Sequence, residues 1–139
     1  MKKLVYETLE DVSKASKKAD KIEILRSNDS WALKDVLRAT YDDSIQFWLP
    51  LGEVPYTPNK EGSIPSNLLK SNKKFKYFCK GGVADKMLSH KREGIFIDLL
   101  ESIHPKDAIV CTKMINKESL GKGITKKLVQ EAFPGLILK

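Results

Sequence analysis

The sequence predicts an all-α fold, an irregular bundle of about seven short helices in one domain spanning residues 1–139. Three observations carry this expectation. Apolar side chains recur every three or four residues along most of the chain, the spacing of one helix face. Strand-like alternation of polar and apolar residues is confined to one short stretch. Proline, glycine and Asn/Asp/Ser clusters cut the pattern into short pieces, and no repeat period is visible. A chain of 139 residues is long enough to bury a core without disulfides or metal.

Taken in order, residues 3–14 place Val5, Leu9 and Val12 on one helical face, and residues 16–27 do the same with Ala19, Ile22 and Leu25. Asn28-Asp29-Ser30 offers a stop and a new N-cap for a third helix over 30–41, with Leu33, Val36, Leu37 and Thr40 inward. Residues 42–50 alternate and end at Pro50, which reads as a short extended segment with Phe47 and Trp48 as core residues; base stacking by Phe47, Trp48 and Tyr56 beside a basic groove is the alternative. Gly52, Pro55, Pro58, Gly62 and Pro65 make the following stretch a long loop. A helix over 67–80, stopped by Gly81-Gly82, is followed by one over 84–103 in which Gly94 marks a kink or a close approach. His104-Pro105 opens a helix over 106–117. A glycine-bearing turn at 119–124 leads to a last helix over 124–132, stopped by Pro134-Gly135 and followed by an apolar tail, Leu136-Ile137-Leu138.

The charge is uneven. The chain carries 25 Lys+Arg against 18 Asp+Glu, a net of +7, and residues 60–92 hold nine of the bases against two acids. That segment is nearly all lysine, a point charge that suits phosphate without fixed geometry. Arginine, the usual reader of guanine edges, is scarce. A solvated, solubilising face is the plain alternative. No apolar run approaches a membrane span, and no leader-type apolar segment follows the N-terminal lysines. The expected location is therefore the cytoplasm. Cys79 and Cys111 read as buried free thiols.

No nucleotide-binding loop, nucleophile elbow or metal-type His/Glu spacing is present, and no cofactor is expected. Two places suit phosphate. Gly121-Lys122-Gly123 makes a turn whose backbone amides are open, beside Lys126 and Lys127. An ordinary interhelix turn is its plain alternative. Over 67–80, Lys70, Lys73 and Lys74 share a helical stripe, with Lys80 beyond it, able to follow a phosphate backbone.

The chain resembles the N-terminal helical DNA-binding domain of ATP-dependent DNA ligases of the T-even-phage type. The likeness rests near the start on residues 18–25, on Asn28-Asp29, and on Leu33-Lys34-Asp35-Val36-Leu37-Arg38 with Thr40-Tyr41 and the aromatic stretch 45–49. Near the end it rests on helix 106–117, the small-residue turn 119–124, and Lys127-Leu128-Val129 through Phe133-Pro134-Gly135-Leu136-Ile137. It is weakest over 50–90. The resemblance implies an all-α fold that grips double-stranded DNA by its sugar-phosphate backbone across the minor groove, with the turn at 121–123 contributing. It also implies a phage protein acting in the host cytoplasm.

The Lys-x-Asp-Gly motif of the ligase nucleotidyltransferase domain is missing, since Lys18-Ala19-Asp20-Lys21 lacks the glycine. The expectation is a non-enzymatic, largely sequence-independent DNA-binding protein. The alternative is a protein-interaction adaptor that uses the proline-rich loop and the apolar tail to engage a replication or transcription factor.

Overall fold

The computed structural model describes residues 4–48, 56, 72–80 and 83–137. Six α-helices occupy them: α1 (Val5–Lys14), α2 (Lys18–Ser27), α3 (Trp31–Tyr41), α4 (Ser89–Ser102), α5 (Pro105–Ile115) and α6 (Lys126–Ala132). Two 3₁₀ segments precede α4, η1 (Asn72–Tyr77) and η2 (Val83–Lys86). The fold is all-α, and no helix among the described residues is long and apolar enough to cross a membrane.

Local chemistry sets the boundaries. Ser30 Oγ accepts from the Leu33 amide at 3.1 Å and starts α3. The His104 ring caps α5, its Nδ1 accepting from the Lys106 amide at 3.1 Å, with Pro105 at the first helical position. That acceptor role puts the ring proton on Nε2, which faces Tyr6 Oη at 3.5 Å, and the two rings stack at 4.5 Å. Thr125 Oγ1 accepts from the Leu128 amide at 3.2 Å and starts α6, so this helix begins later than the apolar pattern at Ile124 suggests.

Helix α5 is the centre of the packing, touching α1, α3 and α4, while α2 bridges α1 to α6. The inward face of α5 buries Ala108, Cys111, Met114 and Ile115, in one hydrophobic core with Leu33 and Leu37 of α3 and Phe96 and Leu99 of α4. Phe78 and Phe96 meet edge to face at 5.1 Å, joining the residue that follows η1 to α4. Helix α2 is mostly exposed and anchored by Leu25 alone among its fully buried residues.

The lysine-rich stretch differs from expectation. The described part of 67–80 is 3₁₀ from Asn72 to Tyr77, after which Cys79 forms an antiparallel bridge with Phe47. The Lys80 amide donates to Gln46 O and the Trp48 amide to Phe78 O, both at 2.8 Å. The extended reading of 42–48 thus holds for the bridged residues, and its pairing demand turns 78–80 out of a helix. The expected helix 84–103 is likewise split, at Met87-Leu88, between η2 and α4. Gly94 does not mark a close approach, since a Cβ there meets nothing within 4 Å. The apolar tail is not free: Ile137 is buried and Leu136 packs on the core.

Candidate functional site

The turn 119–125 is held by side chains that its own sequence does not contain. Tyr41 Oη donates to Ile124 O at 2.6 Å and accepts from the Leu120 amide at 3.1 Å, so one hydroxyl clasps both ends of the turn. Just before the turn, Lys117 adopts φ 56°, and the Lys117 and Glu118 amides bond back to Met114 O and Lys113 O at 3.2 and 2.9 Å. This is a Schellman ending with lysine where glycine is usual. The Lys117 ammonium crosses to α3 and donates to Ala39 O at 2.5 Å and Asp42 O at 3.0 Å, capping that helix. Burial lowers the Lys117 pKa, against the pull of Asp42, Asp43 and Cys79.

The two glycines let the turn close on the α1–α2 connection. A Cβ at Gly121 would overlap Ser13 Oγ and stand 3.0 Å from Ile124 Cδ1. Gly123 has φ +75°, and a Cβ there would overlap the Lys21 ammonium.

Around Gly123 lies a cleft of about 270 Å³ between the starts of α2 and α6, lined by Ser16, Lys18, Lys21, Thr125 and Lys127. Lys18 is partly neutralised by Glu131 at 2.5 Å. Among the described residues neither Lys21 nor Lys127 forms an ion pair. Helix α2 starts at this cleft with Lys17 as its N-cap and no side-chain cap on its first turn. The α2–α6 pair is locked at the far end by Arg26, whose Nε and Nη2 donate to Ala132 O and Glu131 O at 2.9 and 3.0 Å.

The predicted site residues separate. Gly123 and Lys127 come together, with Lys18 and Lys21 added from α2. Lys126 turns away and pairs with Asp43 at 3.1 Å. Gly121 and Lys122 border a second, larger groove between α1 and α5. Lys80 stands 4.8 Å from the Trp48 ring centre, with the Arg92 guanidinium 5.2 Å from it. Lys70 lies outside the described residues, as do the side chains of Lys73 and Lys74.

The aromatic expectation is corrected here. Trp48 is 42% exposed rather than core: its indole N–H reaches Asp85 Oδ1 at 2.7 Å, and Lys80 and Arg92 lie within cation–π distance of its ring. Phe47, by contrast, packs against the core as expected, half-buried and with Lys117 Nζ 5.5 Å from its ring. Lys126, Lys117, Lys80 and Arg92 thus follow the segment 42–48 one after another.

Sequence reasoning missed Lys21, Lys117 and Tyr41 as parts of this site. A signal existed for Lys21, one helical turn from Lys17 and Lys18 on a helix with little apolar face. None existed for Tyr41 or Lys117, whose partners lie 83 and 78 residues away. Of the two thiols, Cys111 is buried and Cys79 half-buried, both free and both with pKa raised by burial. Among the described residues no His/Cys/Asp/Glu group is arranged to hold a metal ion.

These features define a small all-helical domain whose charged recesses are built from lysines and backbone. The chain belongs to a family of unknown function, DUF6433, whose pattern matches residues 8–122. The match takes in most of α1, all of α2 to α5 and the turn as far as Lys122. No curated protein matches the chain significantly.

Proposed function

We propose that this protein binds double-stranded DNA through its sugar-phosphate backbone, without strong sequence preference and without catalysing a reaction, as a counterpart of the phage-type ligase DNA-binding domain. The observation that carries the reading is the cleft at Gly123, where the ammonium groups of Lys21 and Lys127 flank a glycine turn and have no carboxylate partner among the described residues. A phosphate is a ligand that suits this pair, since lysine supplies charge without demanding a fixed geometry.

The arginines favour backbone contact over base readout. Arg26 is spent on the end of α6, and Arg92 is buried with its guanidinium donating to Met87 O at 2.7 Å and Ser89 Oγ at 3.2 Å. Lys80, beside the partly exposed Trp48, offers a second contact point for the duplex.

The test is fluorescence anisotropy with intact, nicked and single-stranded 20-mers over a salt series. With Lys18, Lys21, Lys127 and Lys80 as phosphate contacts, the log–log salt slope on duplex is expected near about −4. Absence of duplex binding at low salt overturns the reading.

A further inference from the structure

The larger groove, about 790 Å³, runs between α1 and α5 and is closed at one end by the turn residues Leu120, Gly121 and Lys122. Its chemistry differs from that of the Gly123 cleft. The floor is hydrocarbon: Leu9 from α1, Ile109 and Val110 from α5, and Leu120 from the turn. Ile109 is 49% exposed, one of the few large apolar side chains of the described chain left in water. Tyr6 forms one end of the groove and is fixed there by its stack on His104 and by its backbone amide, which donates to Asp107 Oδ1 at 2.9 Å.

The rim is basic. Lys14, Lys106, Lys113 and Lys122 border the groove against a single acid, Glu10, which lies 3.6 Å from Lys106. Among the described residues Lys14, Lys113 and Lys122 form no ion pair. On α5 the pattern has a register. Lys106, Ile109, Val110 and Lys113 fall at i, i+3, i+4 and i+7, one helical face with an apolar pair between two cations about 10.5 Å apart along the axis.

We infer that this groove is a docking site for an acidic amphipathic helix of a partner protein, one that presents two adjacent apolar side chains flanked a turn away on each side by carboxylates. Charge complementarity selects the occupant. Three ammoniums without an ion-pair partner among the described residues, set over a hydrocarbon floor, reward a ligand that is anionic at its edges and apolar at its centre. A phosphate backbone has nothing to bury against Leu9, Ile109 and Val110, and it meets Glu10 in the wall. The inference stands apart from the DNA reading, because the two recesses share only the turn and no lining residue.

The probe is a fluorescein-labelled, helix-forming synthetic peptide with a Glu-x-x-Leu-Leu-x-x-Glu core, the x positions alanine or glutamine. It is titrated with the full chain in 0.1 M salt, beside versions with Gln or Lys in place of both Glu. The Glu peptide is expected to bind at least tenfold tighter than the Gln peptide and to shift amide resonances of 6–14 and 106–122 more than those of 16–21. Ile109→Asp, at a half-exposed position, is expected to weaken it at least tenfold with helical content unchanged. Lys106→Glu with Lys113→Glu is expected to reverse the preference toward the Lys peptide, a gain that misfolding cannot produce. No saturable binding of the Glu peptide at millimolar concentration overturns the inference, as does equal binding of Glu and Gln peptides. Displacement of the peptide by a 20-base-pair duplex in equilibrium competition also overturns it, since the groove is then a nucleic-acid surface.

Discussion

Replacing Asp107 by asparagine is expected to stabilise this protein, by an amount that grows from about pH 4 and levels off above about pH 6. Asp107 lies in the first turn of α5 with no solvent exposure. Its Oδ1 accepts the Tyr6 amide at 2.9 Å, and its Oδ2 has no hydrogen-bond partner among the described residues. Burial pushes the carboxyl from 3.8 up to about 6, with the Tyr6 amide pulling the other way and Glu7 adding repulsion. A folded-state pKa above the unfolded one means that the fold prefers the protonated acid. That contribution is fully present below about pH 3.8 and is lost as pH rises through about 6. Two pH units correspond to a penalty of at most about 3 kcal/mol at neutral pH. The asparagine side chain keeps an acceptor for the Tyr6 amide and carries no charge. At pH 7.5 the Asp107→Asn variant is expected to gain about 1–3 kcal/mol, a rise in urea midpoint on the order of 1 M followed by helical circular dichroism. Near pH 4 the two proteins are expected to unfold together. An equal difference at both pH values, or a less stable variant at pH 7.5, refutes the reasoning.

Three further outcomes follow from the contacts. Lys117→Met removes the cap from α3 and is expected to cost about 1–2 kcal/mol in chemical denaturation, while Lys117→Gly, which also relieves the left-handed backbone, is expected to cost about 1 kcal/mol less. Gly94→Ala fills open space inside α4 and is expected to add about 0.5–1 kcal/mol, seen as a raised Tm. Gly123→Ala is expected to lose about 1 kcal/mol from its φ of +75° and, by displacing the Lys21 ammonium, to weaken duplex binding in the same anisotropy assay that leaves Gly94→Ala unchanged.

The helices were legible because their causes are local. The Val5/Leu9/Val12 face, the Ser30 cap and the His104-Pro105 start each lie within one turn of what they control, and the all-α class follows from them. The lysine segment was less legible. Helical periodicity over 67–80 carries no sign that Cys79 pairs with Phe47 across 32 residues, and that pairing is what withdraws 78–80 from a helix. Trp48 looked like core because large aromatics usually are. Its indole instead bonds to Asp85, 37 residues on, which no spacing rule anticipates. The site shows the same division. The glycine turn at 121–123 could be read from composition, but the cleft beside it is completed by Lys21, and Lys126 is drawn off by Asp43. Tertiary contacts decided which lysines of a local cluster remain available.

The central claim, that the Gly123 cleft holds a phosphate of duplex DNA, is tested most directly by comparing salt slopes of two charge-matched variants. Lys21→Gln with Lys127→Gln removes two ammoniums from the cleft, and Lys14→Gln with Lys113→Gln removes two from the neighbouring groove. Each lost phosphate contact is expected to reduce the slope by about 0.9 and the affinity at 0.1 M salt about eightfold, so the cleft pair is expected to bind about 60-fold more weakly with a slope shallower by about 1.8. The groove pair is expected to keep the wild-type slope. Equal losses in both variants, or none in either, contradict the account.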